Sequence, residues 1–180
     1  MAKSVTELHA EALVRRNPGG WTRFPLGELL ASVRQTLTPM FDASGAKLIW
    51  KNLPEVTANR TMIEHLFTNL VEYSIKYRSE QMPVIAMSSS ETTRFTHIFL
   101  TDNGRGIPET EREKIFEPGH RASNSGSESG SGLWLTLCRK VMEDLGGTIQ
   151  ARAVVEGGTE FELQFPKNPK SGAPASAATA

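Results

Sequence analysis

Cysteine is almost missing from this chain. Cys138 is the single thiol among 180 residues, which excludes an intramolecular disulfide framework and any cysteine-based zinc cluster. It falls within a helical apolar pattern and is expected to be a buried core thiol. Net charge is missing as well: 20 basic and 20 acidic side chains leave a formal +0. No basic field invites nucleic acid or a membrane surface, and neither is expected as a partner. No apolar run approaches the ~20 residues that a membrane-spanning helix requires, and no signal-peptide pattern opens the chain, so a soluble cytoplasmic domain is expected. No internal repeat is visible. The length fits one domain with a substantial core.

What is present is a pair of glycine motifs. Asp102-Asn103-Gly104-Arg105-Gly106-Ile107-Pro108 follows the apolar run His97 to Leu100, and Gly130-Ser131-Gly132-Leu133 comes later. The first has the chemistry of a purine pocket. A carboxylate accepts a hydrogen bond from an exocyclic amine, and backbone without side chains lets a planar ring approach closely. The second opens a helical pattern, where free N–H groups and the helix dipole favour phosphate. Either pair alone also marks ordinary turns. Their order, with the Asn69 helix upstream, gives the combination its meaning.

Residues 3–15 form a short amphipathic helix candidate stopped by Asn17-Pro18-Gly19-Gly20, and residues 1–20 are expected to be a helical remnant or linker from an upstream domain. Trp21 to Phe24 reads as a short edge strand. A helix runs from Pro25 to about Phe41 with Leu26, Leu29, Leu30, Val33 and Leu37 on one face. Lys47 to Lys51 alternates like a strand and Pro54 ends it. Asn59 can cap a helix reaching about Arg78, whose stripe is Met62, Ile63, Leu66, Phe67, Leu70 and Val71. Val84 to Ser89 and Arg94 to Thr101 are paired strands, and Glu109 to Phe116 is a short helix. Gly119 to Ser131 is a polar loop. A helix from about Gly132 to Leu145 ends at Gly146-Gly147. Strands Thr148 to Val154 and Thr159 to Phe165 are joined by Glu156-Gly157-Gly158. Residues 167–180 lack the apolar content to fold and are expected to be a disordered tail. The fold class is α+β: a two-layer sandwich with a mixed, mostly antiparallel sheet packed against three main helices.

The stretch 21–166 resembles the catalytic, ATP-binding domain of sensor histidine kinases, which share the Bergerat ATP-binding fold with Hsp90, gyrase B and MutL. Asn69 to Arg78 is similar to the N-box, Asp102 to Pro108 to the first glycine box, Ile115-Phe116-Glu117-Pro118 to the F-box, and Gly130 to Leu133 to the second glycine box, with a late Gly158-Thr159 before the last strand. The resemblance implies that Asp102 accepts the adenine amine, that Gly104, Gly106 and Ile107 shape its pocket, and that Tyr77 lies against the nucleotide. It implies that Lys76 reaches the phosphates, that His120 and Arg121 approach them from the lid, and that backbone N–H groups of Gly130, Ser131, Gly132 and Leu133 bind them. Asn69 would orient the transferring phosphate, and Thr159 would line the site. The implied cofactors are ATP and Mg²⁺. The implied partners are a histidine-bearing dimerisation domain of the same parent protein and a downstream response regulator.

Two positions depart from the family pattern. Tyr73 stands where the N-box carries its second Asn, the Mg²⁺ ligand, and a neutral phenol is a poor ligand for a hard cation. Trp134 stands where the second glycine box carries a further Gly. An alternative register puts Asn69 at the Mg²⁺ position, with His65 four residues earlier on the same helix face as base or polar partner. That register keeps a metal site but loses the match at Ile75-Lys76-Tyr77. Three functions follow: a kinase donating the γ-phosphate of ATP to a histidine on a separate domain; a degenerate pseudokinase acting as an interaction or allosteric module; and a serine kinase of the anti-sigma-factor type.

Overall fold

A computed structural model describes residues 20–123 and 134–169. The expected N-terminal helix, the Gly130 to Leu133 motif and residues 170–180 of the expected tail lie outside the described residues. Among the described residues, seven strands and four α-helices run in the order β1 Thr22–Pro25, α1 Leu26–Thr36, α2 Thr38–Ser44, β2 Lys47–Trp50, β3 Glu55–Ala58, α3 Arg60–Lys76, β4 Val84–Glu91, β5 Phe95–Asp102, α4 Trp134–Leu145, β6 Thr148–Ala153 and β7 Thr159–Pro166.

Five strands make the main sheet in the order β2-β4-β5-β7-β6. The β2–β4 pair is parallel and the other three are antiparallel, as the sequence leads one to expect. Strand alternation then does the sorting. Ile98 and Leu100 on β5, Phe161, Leu163 and Phe165 on β7, and Ile85 and Met87 on β4 are all buried. They meet Leu26, Leu29, Leu30 and Val33 of α1, Ile63, Leu66, Phe67, Leu70 and Val71 of α3, and Cys138, Met142 and Leu145 of α4. Each such side chain contributes about 1.5–3 kcal/mol on burial. Asp102 falls in phase with Ile98 and Leu100, so the period of two carries a carboxylate onto the core face at the end of β5.

The long helix expected from Pro25 to Phe41 is two helices. Pro39 has no N–H to give Gln35, and its ring would collide with that carbonyl. The chain breaks at Leu37, and the Thr38 hydroxyl instead donates to the Gln35 carbonyl at 2.8 Å. Strand β3 has no counterpart in the sequence reading. It pairs antiparallel with β1 in a separate two-stranded sheet, matching Phe24 to Val56. The short helix expected over Glu109 to Phe116 is two single 3₁₀ turns, Glu109–Glu111 and Lys114–Phe116. Pro118 forces Glu117 to be extended (ψ 145), so too little chain remains between the prolines for an α-helix to propagate. Asn59 does cap α3, its side-chain oxygen accepting from the Met62 N–H at 3.2 Å.

Candidate functional site

Asp102 is a buried carboxylate held by three hydrogen bonds. Its Oδ1 accepts from the backbone N–H of Gly104 at 2.9 Å and of Thr159 at 3.0 Å, and its Oδ2 accepts from the Ser74 hydroxyl at 3.0 Å. Three elements thus converge on one carboxylate: the turn after β5, the start of β7 and the last turn of α3. The two amides use the lone pairs of Oδ1, while Oδ2 has capacity for a second donor such as an amine. Burial pushes the Asp102 pKa above the ordinary carboxylate range, and the hydrogen bonds from Gly104, Thr159 and Ser74 oppose that rise.

The glycines make this approach possible. A Cβ on Gly104 would lie 2.8 Å from the Tyr77 carbonyl oxygen, and one on Gly158 would lie 1.9 Å from the Asp102 carbonyl oxygen. Ile107 is buried beside them, and Gly106, at φ +74, faces the Gly158 carbonyl. The residues expected around a purine are therefore together: Asp102, Gly104, Gly106, Ile107 and Thr159.

A cavity of about 410 Å³ lies along α3. Asn69, Glu72, Tyr73 and Lys76 line it at helical i, i+3, i+4 and i+7 spacing, with Tyr77, His120, Arg121 and Trp134 around them. Met40, Ala43 and Ser44 of α2 close one wall, and nothing in their sequence signalled that role. Asp102 does not line this cavity. Tyr73 borders both regions: it lines the cavity, and its phenol feels the charge of Asp102. Its ring lies 4.5 Å from that of Tyr77 and edge-on to Phe161 at 5.7 Å. His65, one turn before Asn69, is exposed and lies outside the cavity lining.

The donor set does not fit Mg²⁺ well. Burial pushes the Tyr73 phenol pKa up, so the group remains a neutral O–H. Asn69 lies within hydrogen-bonding reach of the Cys138 thiol on α4 and also lines the cavity, a single neutral amide there. Among the described residues, no group of three or more His, Cys, Asp or Glu side chains could hold a metal ion.

The Asn69–Cys138 contact carries a prediction. Cys138 is fully buried, its thiol also points at the Leu66 carbonyl at 3.7 Å, and burial pushes its pKa up to about 12. It is expected to resist iodoacetamide in the folded domain and to react only after denaturation. Rapid alkylation of the native protein, followed by mass spectrometry, would contradict this placement.

Ser74 is the site residue that sequence reasoning missed. Its hydroxyl also lies 3.1 Å from the Leu70 carbonyl, the usual back-bond of a helical serine, so nothing local marks it as a partner of a residue 28 positions away.

A carboxylate seated by glycine-turn amides, next to a cation-lined cavity on a one-sided α+β sandwich, defines a nucleotide-binding domain of the ATPase type. The chain belongs to the histidine kinase-, DNA gyrase B- and HSP90-like ATPase family, whose model matches residues 58–169. It is 33% identical over 116 residues to the adaptive-response sensory kinase SasA of Synechocystis sp., a match covering 64% of this chain and 30% of that protein. The catalytic domain of histidine kinase ThkA, in a nucleotide-free form, superposes with a TM-score of 0.70 at 28% identity, covering 84% of this chain and all of that one. ThkA in complex with the response regulator protein TrrA is similar in fold, with a TM-score of 0.68 at 24% identity, covering 90% of this chain and 47% of that one. The chain is thus a catalytic, ATP-binding domain of the two-component sensor histidine kinase type. It spans about a third of the length of the SasA relatives it matches. No helix among the described residues is long and apolar enough to cross a membrane.

Proposed function

We propose that this domain binds ATP with the adenine amine on Asp102 and the phosphates in the cavity, and presents the γ-phosphate to a histidine on a separate dimerisation domain of the same parent protein. A response regulator then receives the phosphoryl group, on the cytoplasmic side of the cell. Gly104, Gly106 and Ile107 shape the adenine pocket, Tyr77 lies against the nucleotide, and Lys76, His120 and Arg121 meet the phosphates. Asn69 orients the transferring phosphate, and the backbone N–H groups of Gly130 to Leu133 bind the phosphates. The observation that carries this reading is the Asp102 carboxylate, buried at 6% exposure yet supplied with three donors and room for one more. Sites of this kind work by positioning and charge neutralisation rather than by covalent chemistry.

The test is transfer in trans. The purified chain is incubated with γ-labelled ATP and the parent's own dimerisation domain, and the label is expected as acid-labile phosphohistidine on that domain. A second reading is favoured by Tyr73 and Trp134: nucleotide is bound but not turned over, and the domain acts as an interaction module. Saturable ATP binding without any labelled product supports that reading. Acid-stable phosphoserine on a partner would overturn both in favour of a serine kinase.

A further inference from the structure

We infer that this site takes the polyphosphate of an adenine nucleotide without a bridging divalent cation, the phosphate charge being met by Lys76, His120 and Arg121. The inference rests on the nucleotide-binding part of the function proposed above and not on the transfer step.

The position on α3 that would offer an amide oxygen to a metal holds Tyr73 instead. Its ring is fixed from two sides, by Tyr77 at 4.5 Å and Phe161 at 5.7 Å. The next oxygen donor along that face is Asn69, a single neutral amide on the cavity wall. One carboxylate, Glu72, remains on the cavity wall, with Lys76 one turn away on the same face.

Positive groups outnumber it. Lys76, Arg78, His120 and Arg121 all line the same cavity. The Lys76 ammonium lies 5.7 Å above the Tyr77 ring, within reach of both the ring and the cavity. The Nε2 of His120 is buried and has no hydrogen-bond partner among the described residues. A buried ring nitrogen without a partner is costly unless a ligand satisfies it, and a phosphate oxygen in this cavity would. Charge-assisted bonds from lysine, arginine and imidazolium are the established substitute when no metal clamps an anion.

Calorimetric titration decides the matter, with ADP and a non-hydrolysable ATP analogue as probes, each in EDTA and in excess Mg²⁺. The dissociation constants are expected to agree within about threefold. In EDTA, Lys76→Ala and His120→Ala should each weaken binding by about tenfold, and the affinity should fall as salt is raised. Tyr73→Asn should restore a metal response, tightening binding by about tenfold in Mg²⁺. Tyr73 also packs on Phe161, and the wild-type comparison decides the inference even where that variant does not fold. Binding that appears only with Mg²⁺ overturns the inference while leaving the proposed nucleotide site standing, and would point to Asn69 and Glu72 as the metal's oxygens. Metal-indifferent binding untouched by Lys76→Ala and His120→Ala overturns the assigned cations. No binding under either condition sinks the proposed nucleotide site and this inference with it.

Discussion

Asp102→Asn is expected to leave the domain folded and to abolish useful nucleotide binding. Asparagine keeps an oxygen for the Gly104 and Thr159 amides, so both buried donors remain paired. Its new amide then faces Ser74, whose hydroxyl can turn its proton to the Leu70 carbonyl, 3.1 Å away. The exchange should cost about 1 kcal/mol of stability and a few degrees of Tm. An adenine amine, by contrast, now meets another N–H donor where it needs an acceptor. Leaving both unpaired should weaken ADP binding by about 100-fold or more. Asp102→Ala differs in kind. It orphans two buried amides, those of Gly104 and Thr159, at about 1–3 kcal/mol each, so it should destabilise the domain far more than the asparagine does. Titration calorimetry beside thermal melts separates the two effects, and normal ADP affinity in a folded Asp102→Asn domain would remove Asp102 from the adenine site.

The same carboxylate sets a pH dependence. Burial raises its folded pKa above the ordinary value of 3.8. The native state therefore binds this proton more readily than the unfolded chain does. Stability from this group is lower at neutral pH and rises as pH falls through the raised folded pKa, levelling off below the unfolded value. Affinity for nucleotide moves the other way. With Gly104 and Thr159 occupying Oδ1, the added proton goes to Oδ2 and meets the amine as a second donor. ADP binding should thus weaken as pH falls through the raised folded pKa, and the Asp102→Asn domain should lose that trend.

Gly158→Ala should be the most damaging single methyl group that can be added to this chain near the site. Gly158 has φ +99, and a Cβ there would lie 1.9 Å from the Asp102 carbonyl oxygen and 2.8 Å from its carbonyl carbon. Neither atom can yield, because both belong to the backbone at the end of β5. The turn must lift away, which also pulls the Thr159 N–H from Asp102. A cost above about 4 kcal/mol is expected, comparable with the whole stability of a marginal domain. Gly157→Ala is the control. Its φ is +96, but nothing lies within 4 Å of its Cβ position, so only the backbone penalty of about 1–3 kcal/mol applies. Urea denaturation of the two variants should differ sharply in midpoint. Equal midpoints would mean that the Gly157–Gly158 turn is not pressed against β5.

Local chemistry made much of this protein legible. The α3 stripe and its Asn59 cap, the β4–β5 hairpin, the closing β6–β7 pair and the glycine turns all follow from periodicity and turn residues within a few positions of one another. The misreadings share a cause. The helix expected from Pro25 to about Phe41 follows the apolar stripe alone, and the N–H that Pro39 lacks matters more than the stripe. Strand β3 is only four residues long, too short for its polar–apolar alternation to announce a strand, and exists because β1 supplies its hydrogen bonds. At the site, Asp102 and the first glycine motif stood out because an acidic residue ending an apolar run is chemically unusual. Ser74 and the α2 wall did not, because a serine or methionine on a helix carries no sign of what lies across from it.

By itself, the sequence determined that a carboxylate would follow β5, that glycines would let backbone crowd against it, and that Asn69, Glu72, Tyr73 and Lys76 would share one helix face, since these depend on covalent spacing and local dihedral preference. Only the tertiary structure decided which groups hold Asp102, because Ser74 and Thr159 reach it from 28 and 57 residues away. It likewise decided that the Tyr73 ring packs between Tyr77 and Phe161, and that Asn69 sits between the cavity and the Cys138 thiol. Those outcomes depend on how α3 and α4 dock on the sheet, and packing between distant segments leaves no periodic trace along the chain.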